Sequence, residues 1–228
     1  MVINRKLLWP VLGAGLLILT VLAVNILGRG GAEKLQPEVL FARSLSQTAA
    51  TESFRYKMQV AVGREDWVSS VEGERVAPDR IHIRGTMQKT PLEFIHISGI
   101  TYMKDPWSEG WLTIPESSLS LTELFIAELN PLGILDFKGI QEIKSLGRKK
   151  VAGEVLTGLE IKPLLKNALL ESGYRDFLVQ VWVDPRTCYI RSATLEGAGS
   201  GGEADKIVIK LEIWDYNSKL EINKPPGV

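Results

Sequence analysis

The side chains that could do chemistry are few and scattered along the chain. Two histidines, His82 and His96, fall on separate predicted strands and could be neighbours. A metal site needs three or four ligands at a defined spacing, and neither HxH nor HExxH occurs here. We therefore interpret both as structural or surface histidines, and we expect neither a metal ion nor a cofactor.

The remaining nucleophiles and carboxylates favour ordinary structural roles. Glu72 and Glu74 share one strand face, as paired catalytic carboxylates would, but exposed strand faces normally carry charge. Ser200 lies in GAGSGGE, which lacks the G-x-S-x-G order of a nucleophile elbow, and no Lys-Ser/Thr follows Gly197–Gly202 to form a phosphate loop. Cys188, the single cysteine, is expected to be a small buried hydrophobe. The sequence thus predicts a protein that is not an enzyme.

Net charge and cysteine content exclude further kinds of protein. The chain of 228 residues carries 27 basic and 27 acidic residues, so its formal net charge is zero. Nucleic-acid binding requires a basic face that neutralises phosphates, so we expect no nucleic-acid partner. One cysteine cannot form an internal disulfide, and folding must therefore rest on burial of an apolar core.

The N-terminus predicts a membrane anchor. Leu7–Leu27 is an uncharged run that, as a helix, would be about 31 Å long, close to the thickness of a bilayer core. Arg5 and Lys6 precede it and place the N-terminus in the cytoplasm. The alternative is a cleaved secretory signal, with Val21-Leu22-Ala23 as a passable cleavage site. In both interpretations the domain is exported from the cytoplasm. The predicted organisation is a cytoplasmic stub (1–6), a transmembrane anchor (7–27), a tether (28–36) and an extracytoplasmic domain (37–228).

The domain itself is predicted to begin with a helix and continue as strands. Pro37 suits a first helical position, and the helix is expected to run to about Thr51. From Phe54 onward the apolar period changes to two, which is typical of half-buried strands. Short, closely spaced strands of this kind pair antiparallel through hairpins. The predicted strands are Phe54–Val62, Trp67–Val76, Ile81–Met87, Leu92–Ser98, Thr101–Lys104, Trp107–Thr113, Ile140–Leu146, Val155–Ile161, Phe177–Val183, Tyr189–Glu196 and Lys206–Tyr216.

Helices and a flexible loop interrupt these strands. An apolar helix is expected from Ser118 or Ser120 to Leu129, and another from Pro163 to Ser172. The glycine-rich stretch Gly197–Asp205 predicts a flexible loop. The predicted fold class is mainly β (α+β), a strongly curved antiparallel sheet or half-open β-barrel of about ten or eleven strands with helices on its concave side.

Three short patterns resemble the LolA/LolB-like lipoprotein-carrier superfamily, which includes the LppX/LprG-like envelope proteins. They are Val181-Trp182-Val183-Asp184 followed by Thr187, Tyr102-Met103 and Trp111 after Gly99, and Asp215-Tyr216-Asn217 followed by Ile222 and Pro225. The resemblance implies a half-closed barrel whose concave face, covered by helices, can hold acyl chains. The chain departs from the family in having no lipobox cysteine, because none precedes Cys188.

The functional hypothesis is therefore a membrane-anchored extracytoplasmic protein that holds a lipid or acyl chain in a hydrophobic cavity. The alternative is a sensory or regulatory ectodomain that binds another envelope protein and has no small-molecule ligand. The expected partners are an acylated ligand and the membrane. The cavity residues expected from the strand faces and the mid-chain helix are Met58, Val60, Ile95, Ile97, Met103, Trp111, Leu124 and Phe125.

Overall fold

Eleven antiparallel strands form one sheet in the order β6-β5-β4-β3-β2-β1-β11-β10-β9-β8-β7. Two meanders, β1–β6 and β7–β11, are therefore joined by the pairing of the first strand with the last. The strands are β1 Ser53–Val62, β2 Ser69–Val76, β3 Arg80–Met87, β4 Thr90–Ile97, β5 Ile100–Lys104, β6 Trp111–Ile114, β7 Phe137–Val151, β8 Glu154–Leu165, β9 Tyr174–Val183, β10 Ile190–Gly199 and β11 Gly202–Trp214. The expectation of a mainly β protein with a single antiparallel sheet is confirmed.

The computed structural model describes residues 35–63, 67–108, 110–114, 131–200 and 202–228. The predicted anchor, 7–27, and the predicted mid-chain helix ending at Leu129 lie outside these ranges. None of the described helices combines the length and apolarity needed to cross a bilayer. In the described ranges the sheet does not close, because β6 and β7 each have one neighbouring strand.

Helical segments cover one face of the sheet. They are α1 (Pro37–Ala49), a 3₁₀ turn (Pro131–Leu135) and α2 (Ala168–Gly173), which is capped by the Asn167 side chain. Helix α1 crosses the sheet: Phe41 stacks on Phe137 at the start of β7, with ring centroids 5.8 Å apart, and Thr48 accepts a hydrogen bond from Ile190 N at the start of β10. We call the covered side the helix face and the other side the outer face.

Alternation along β1 assigns side chains to the two faces. Phe54, Tyr56, Met58 and Val60 point into the main hydrophobic core on the helix face. The intervening Arg55, Lys57 and Gln59 lie on the outer face, where they meet polar partners on β2. Paired residues of adjacent strands share a face, so the register carries this assignment across the sheet.

The backbones of β2 and β3 approach closely at Gly85. A Cβ added at Gly85 would lie 2.2 Å from the Ser70 carbonyl oxygen and 2.7 Å from Val71 Cα. Only glycine permits such close approach of two backbones within a sheet.

Three local predictions were wrong. Pro163 does not start a helix but lies in β8, next to an irregularity in the pairing of β7 and β8, and a bulge tolerates the missing N–H. The helix there is confined to Ala168–Gly173. The glycine-rich stretch is not a long loop, because β10 continues to Gly199 and β11 begins at Gly202.

Candidate functional site

A row of apolar side chains crosses β3, β4, β5 and β6 on the helix face. Ile83 pairs with Phe94, Phe94 with Met103, and Met103 with Leu112. Burial decreases along the row: Ile83 is 1% exposed, Phe94 7%, Met103 is half-buried and Leu112 is 49% exposed. We call this row, together with the half-buried Leu92 and Ile114 on the same face, the apolar patch.

The other half of the helix face is closed. There a comparable row of side chains crosses β1, β11, β10, β9 and β8, and every side chain in it is buried. The row consists of Val60, Ile209, Leu195, Val179 and Ile161. A cavity of about 20 Å³ beside Ile209 and Leu195 has room for one water molecule and none for an acyl chain. Space for an apolar ligand among the described residues must therefore be sought at the apolar patch.

The chemistry of the apolar patch suits a flexible apolar group. Its side chains are aliphatic, aromatic or thioether, and Met103 is unbranched and polarizable, so it can adapt to chains of different shape. His96 and Thr101 lie on the same face, and His96 Nδ1 is 2.9 Å from Thr101 Oγ1, which gives the patch one internally paired polar contact.

The structure divides the predicted cavity residues between the two faces. Met58 and Val60 lie on the helix face but are packed into the closed core. Met103 belongs to the apolar patch. Leu124 and Phe125 lie outside the described residues.

Ile95, Ile97 and Trp111 occupy the outer face instead. Ile95 and Ile97 form a small cluster with Tyr102 and with Ile222 of the C-terminal tail, and Trp111 packs against it. Arg80 Nη1 donates to the Ile222 carbonyl at 3.2 Å and fastens the tail there. These three residues therefore do not share a cavity wall with Met58, and the tail is what buries the two isoleucines.

Sequence reasoning missed Leu92, Phe94, Leu112 and Ile114. Both faces of β4 carry apolar residues, so its period-two pattern does not show which face is inward. The signal that could have found them is the strand register. The Gln88-Lys89 turn pairs Met87 with Thr90, so each residue of β4 lies on the same face as its paired residue of β3.

One depression on the outer face is polar. It has a volume of about 450 Å³ and is bordered by Arg55, Glu72, Glu74, His82, Arg84 and Trp214. Arg55 contacts Glu74 and Asp215, each at 2.9 Å, and the hydrogen bonds with Glu74 and then Asp215 raise the pKa of its guanidinium. Lys57 lies 3.5 Å from Glu72. Charges matched in this way suit a solvated surface and not an acyl chain.

The other candidate chemical residues lie apart. His82 is on the outer face, 2.8 Å from Glu93, whereas His96 is on the helix face. Among the described residues no three His, Cys, Asp or Glu side chains are grouped as metal ligands. Cys188 is free and buried in the main core, and Ser200 is an exposed turn residue 3.5 Å from Asp205.

The sequence motifs serve to close turns and fasten the tail. Asp184 accepts hydrogen bonds from Arg186 N at 2.9 Å and from Thr187 Oγ1 at 3.0 Å. Tyr216 donates its hydroxyl proton to the Ile190 carbonyl, and burial raises the pKa of this phenol. Asn217 accepts from Glu52 N at 2.8 Å.

Comparison with solved structures decides the fold. The Mycobacterium tuberculosis lipoprotein LppX superposes with a TM-score of 0.57 over 82% of this chain and 100% of LppX, at 14% identity. LprF from Mycobacterium bovis superposes with a TM-score of 0.59 over 84% of this chain and 99% of LprF, at 11% identity.

The domain has an LppX-like fold. No protein-family model and no curated protein sequence matches the chain. The resemblance that the three motifs predicted is thereby confirmed at the level of the fold.

Proposed function

We propose that the LppX-like domain binds the acyl chain of a lipid or acylated ligand at the apolar patch, as a binding protein without catalysis. The observation that carries the proposal is the row Ile83–Phe94–Met103–Leu112, which begins in the core and ends half exposed. Apolar surface arranged this way marks a binding site more often than a scattered exposed leucine does. The half-open barrel that the resemblance implies would have this face as its interior.

The location that fits this role is the cell envelope. LppX is a lipoprotein, and the sequence of this chain predicts an N-terminal anchor instead of a lipid attachment. We propose a single-pass anchor at 7–27 with the domain outside the cytoplasm, where Arg5 and Lys6 orient it.

The energetics allow useful affinity. Each methylene moved from water to an apolar surface contributes about 0.8 kcal/mol, so roughly ten methylenes give about 8 kcal/mol before the entropy of association is subtracted. Selectivity for the ligand's head group would come from polar side chains at the border of the patch, among them His96.

Photo-crosslinking tests the proposal on the full-length chain in non-ionic detergent. A diazirine-bearing fatty acid should label the protein saturably, unlabelled palmitate should compete, and the adducts should map to β4–β6. Leu112→Glu places a charge on the exposed end of the row and should reduce labelling at least about tenfold, because burying an unpaired carboxylate is costly.

A matched control separates this effect from a general loss of surface apolarity. Val155 on β8 is 48% exposed, close to the value for Leu112, but lies outside the apolar patch. The Val155→Glu variant should be labelled by the fatty acid to the same extent as the wild type. Labelling that does not saturate, or that Leu112→Glu leaves unchanged, would show that the patch is not the site.

A second candidate function is binding of another envelope protein by strand addition. Most side chains of the 15-residue strand β7 are exposed, and β8 is its one neighbour among the described strands. An open edge can pair with a strand of a partner. Photoreactive residues at Ile140 and Leu146 should then yield a discrete protein adduct in intact cells, whereas the acyl-binding role predicts saturable fatty-acid labelling instead.

A further inference from the structure

Exposed apolar side chains concentrate at one rim of the sheet. This rim contains the ends of β1, β3, β5 and β8 and the starts of β2, β4, β6 and β7. Six of the twelve large hydrophobic residues that are exposed among the described residues lie near it. They are Trp67, Trp107, Leu112, Ile140 and Leu164, each within four residues of a strand end at this rim, and Val39 at the start of α1. We call this the tryptophan rim, after Trp67 and Trp107.

Trp107 is the most prominent of these side chains. It is 90% exposed at the turn between β5 and β6. The turn is held by Asp105, which accepts hydrogen bonds from Trp107 N at 3.0 Å and from Ser108 Oγ at 2.8 Å, while Asp105 N donates to the Gly110 carbonyl at 3.0 Å. The turn therefore holds a large indole ring in contact with water. This exposure costs free energy unless another surface covers the ring.

The direction of α1 indicates what covers the rim. Phe41, near the helix start, stacks on Phe137 at this rim, and Thr48, near the helix end, contacts Ile190 at the opposite one. Helix α1 therefore begins on the side of the tryptophan rim. Nine residues, 28–36, separate it from the predicted anchor, and they span at most about 32 Å.

Two ion pairs lie near the rim. Lys166 is 2.8 Å from Asp136, and Lys138 is 2.6 Å from Glu171. These four side chains neutralise one another. Tryptophan, in contrast, favours the boundary between lipid head groups and acyl chains, where its ring is apolar and its N–H can be hydrated.

We propose that the tryptophan rim rests on a phospholipid bilayer, with the Trp107 side chain inserted at the head-group level. The contact rests on the predicted anchor and does not require an acyl ligand. Leu112 belongs both to the rim and to the apolar patch, so the proposed ligand site opens toward the membrane. A lipid could then pass between bilayer and patch without crossing water.

Quenching of tryptophan fluorescence tests the contact on the full-length chain in phosphatidylcholine vesicles. Subtracting the emission of the Trp107→Phe variant from that of the wild type isolates Trp107 and cancels the other five tryptophans, Trp9 included. Vesicles made with phosphatidylcholine brominated at shallow acyl positions should remove most of this difference emission. In bromine-free vesicles its maximum should lie at shorter wavelength than in detergent-free buffer containing 6 M urea, a state in which Trp107 is hydrated.

Trp182 is the matched control. It lies on β9 one residue from the opposite rim, with Lys149 Nζ 3.5 Å from its ring centroid. The Trp182→Phe difference emission should be unaffected by brominated lipid. An excess of unbrominated palmitate should leave Trp107 quenching unchanged, since a bilayer contact is not displaced by an acyl ligand.

Two outcomes would overturn the proposal. Trp107 emission that brominated lipid leaves intact would show that the rim faces water or a protein partner. Quenching that palmitate abolishes would assign the effect to a lipid held at the apolar patch. Fatty-acid labelling, measured separately, should be the same in Trp107→Phe as in the wild type, so failure of the membrane contact and failure of acyl binding are distinguishable.

Discussion

The two halves of the helix face differ in what covers them more than in their composition. The half formed by β1 and β8–β11 presents aliphatic side chains to α1, and its central row is fully buried. The half formed by β3–β6 presents the same kinds of side chain, but exposure there rises to 49% at Leu112. An apolar strand face therefore becomes a core or a candidate binding surface according to which helix lies on it.

The difference follows from the path of α1. The helix packs against β7, β10 and the 3₁₀ turn, and Phe41 and Thr48 fix its two ends. Its 13 residues are about 20 Å long and cover only part of an eleven-stranded sheet. Among the described residues no helix lies on the other half, which is where we propose that the ligand binds.

The largest expected contrast is between leucines of the two halves. Leu195 is 0% exposed in the closed row, so Leu195→Ala removes packed methyl groups and leaves a cavity; we expect a loss of about 3–5 kcal/mol in the free energy of unfolding. Leu112→Ala should cost less than about 1 kcal/mol, because half of that side chain is already in water. Urea denaturation of both variants measures the difference, and equal losses would show that the two halves are equally closed.

The strands that could be predicted best from the sequence are those with one apolar face. In β1, apolar and polar residues alternate from Phe54 to Val60, and in β11 they alternate from Ile209 to Ile213. The pairing of Met58 with Leu211 joins the buried faces of the two strands. Local periodicity is sufficient there because one face meets the core and the other meets water.

The site could be predicted only in part because two long-range features are not encoded locally. Ile95 and Ile97 are buried by Ile222, more than 120 residues away, and no pattern within β4 reveals that contact. The β3–β4 register then decides that Phe94, and not Ile95, faces the patch. Met103 lies on the helix face within the patch, and its contact with a ligand stays a prediction.

The close approach of β2 and β3 depends on one glycine. Gly85→Ala would place a Cβ 2.2 Å from the Ser70 carbonyl oxygen, so the backbones must separate; we expect a loss of about 1–3 kcal/mol and weaker acyl binding, since the patch begins at β3. Gly139→Ala on β7 is the control, because its Cβ would meet Leu164 Cδ1 at an ordinary 3.6 Å. Thermal denaturation and fatty-acid labelling of the two variants provide the test. If Gly85→Ala behaves like Gly139→Ala, the close approach of β2 and β3 does not require glycine at this point.

The smallest expected contrast is between two aspartate turns, Asp184 at the end of the closed half and Asp105 at the end of the open half. Burial alone would raise the pKa of the Asp184 carboxyl, but hydrogen bonds from Arg186 N and Thr187 Oγ1 outweigh it and lower the pKa overall. The hydrogen bond from Trp107 N, and then that from Ser108 Oγ, lower the pKa of Asp105, which is fully solvated.

A depressed pKa in the folded state stabilises the fold above the pKa of the unfolded state, about 3.9 for aspartate, and this contribution is lost as pH falls through the folded value. Asp184→Ala should therefore cost about 1–2 kcal/mol at pH 7, because a buried turn loses a charged acceptor, and the cost should shrink below about pH 4. Asp105→Ala should leave the unfolding free energy nearly unchanged, because water replaces the lost acceptor in an exposed turn. Denaturation curves at pH 7 and pH 3 measure both. A cost for Asp184→Ala that does not depend on pH would assign its role to packing of the turn instead of its charge.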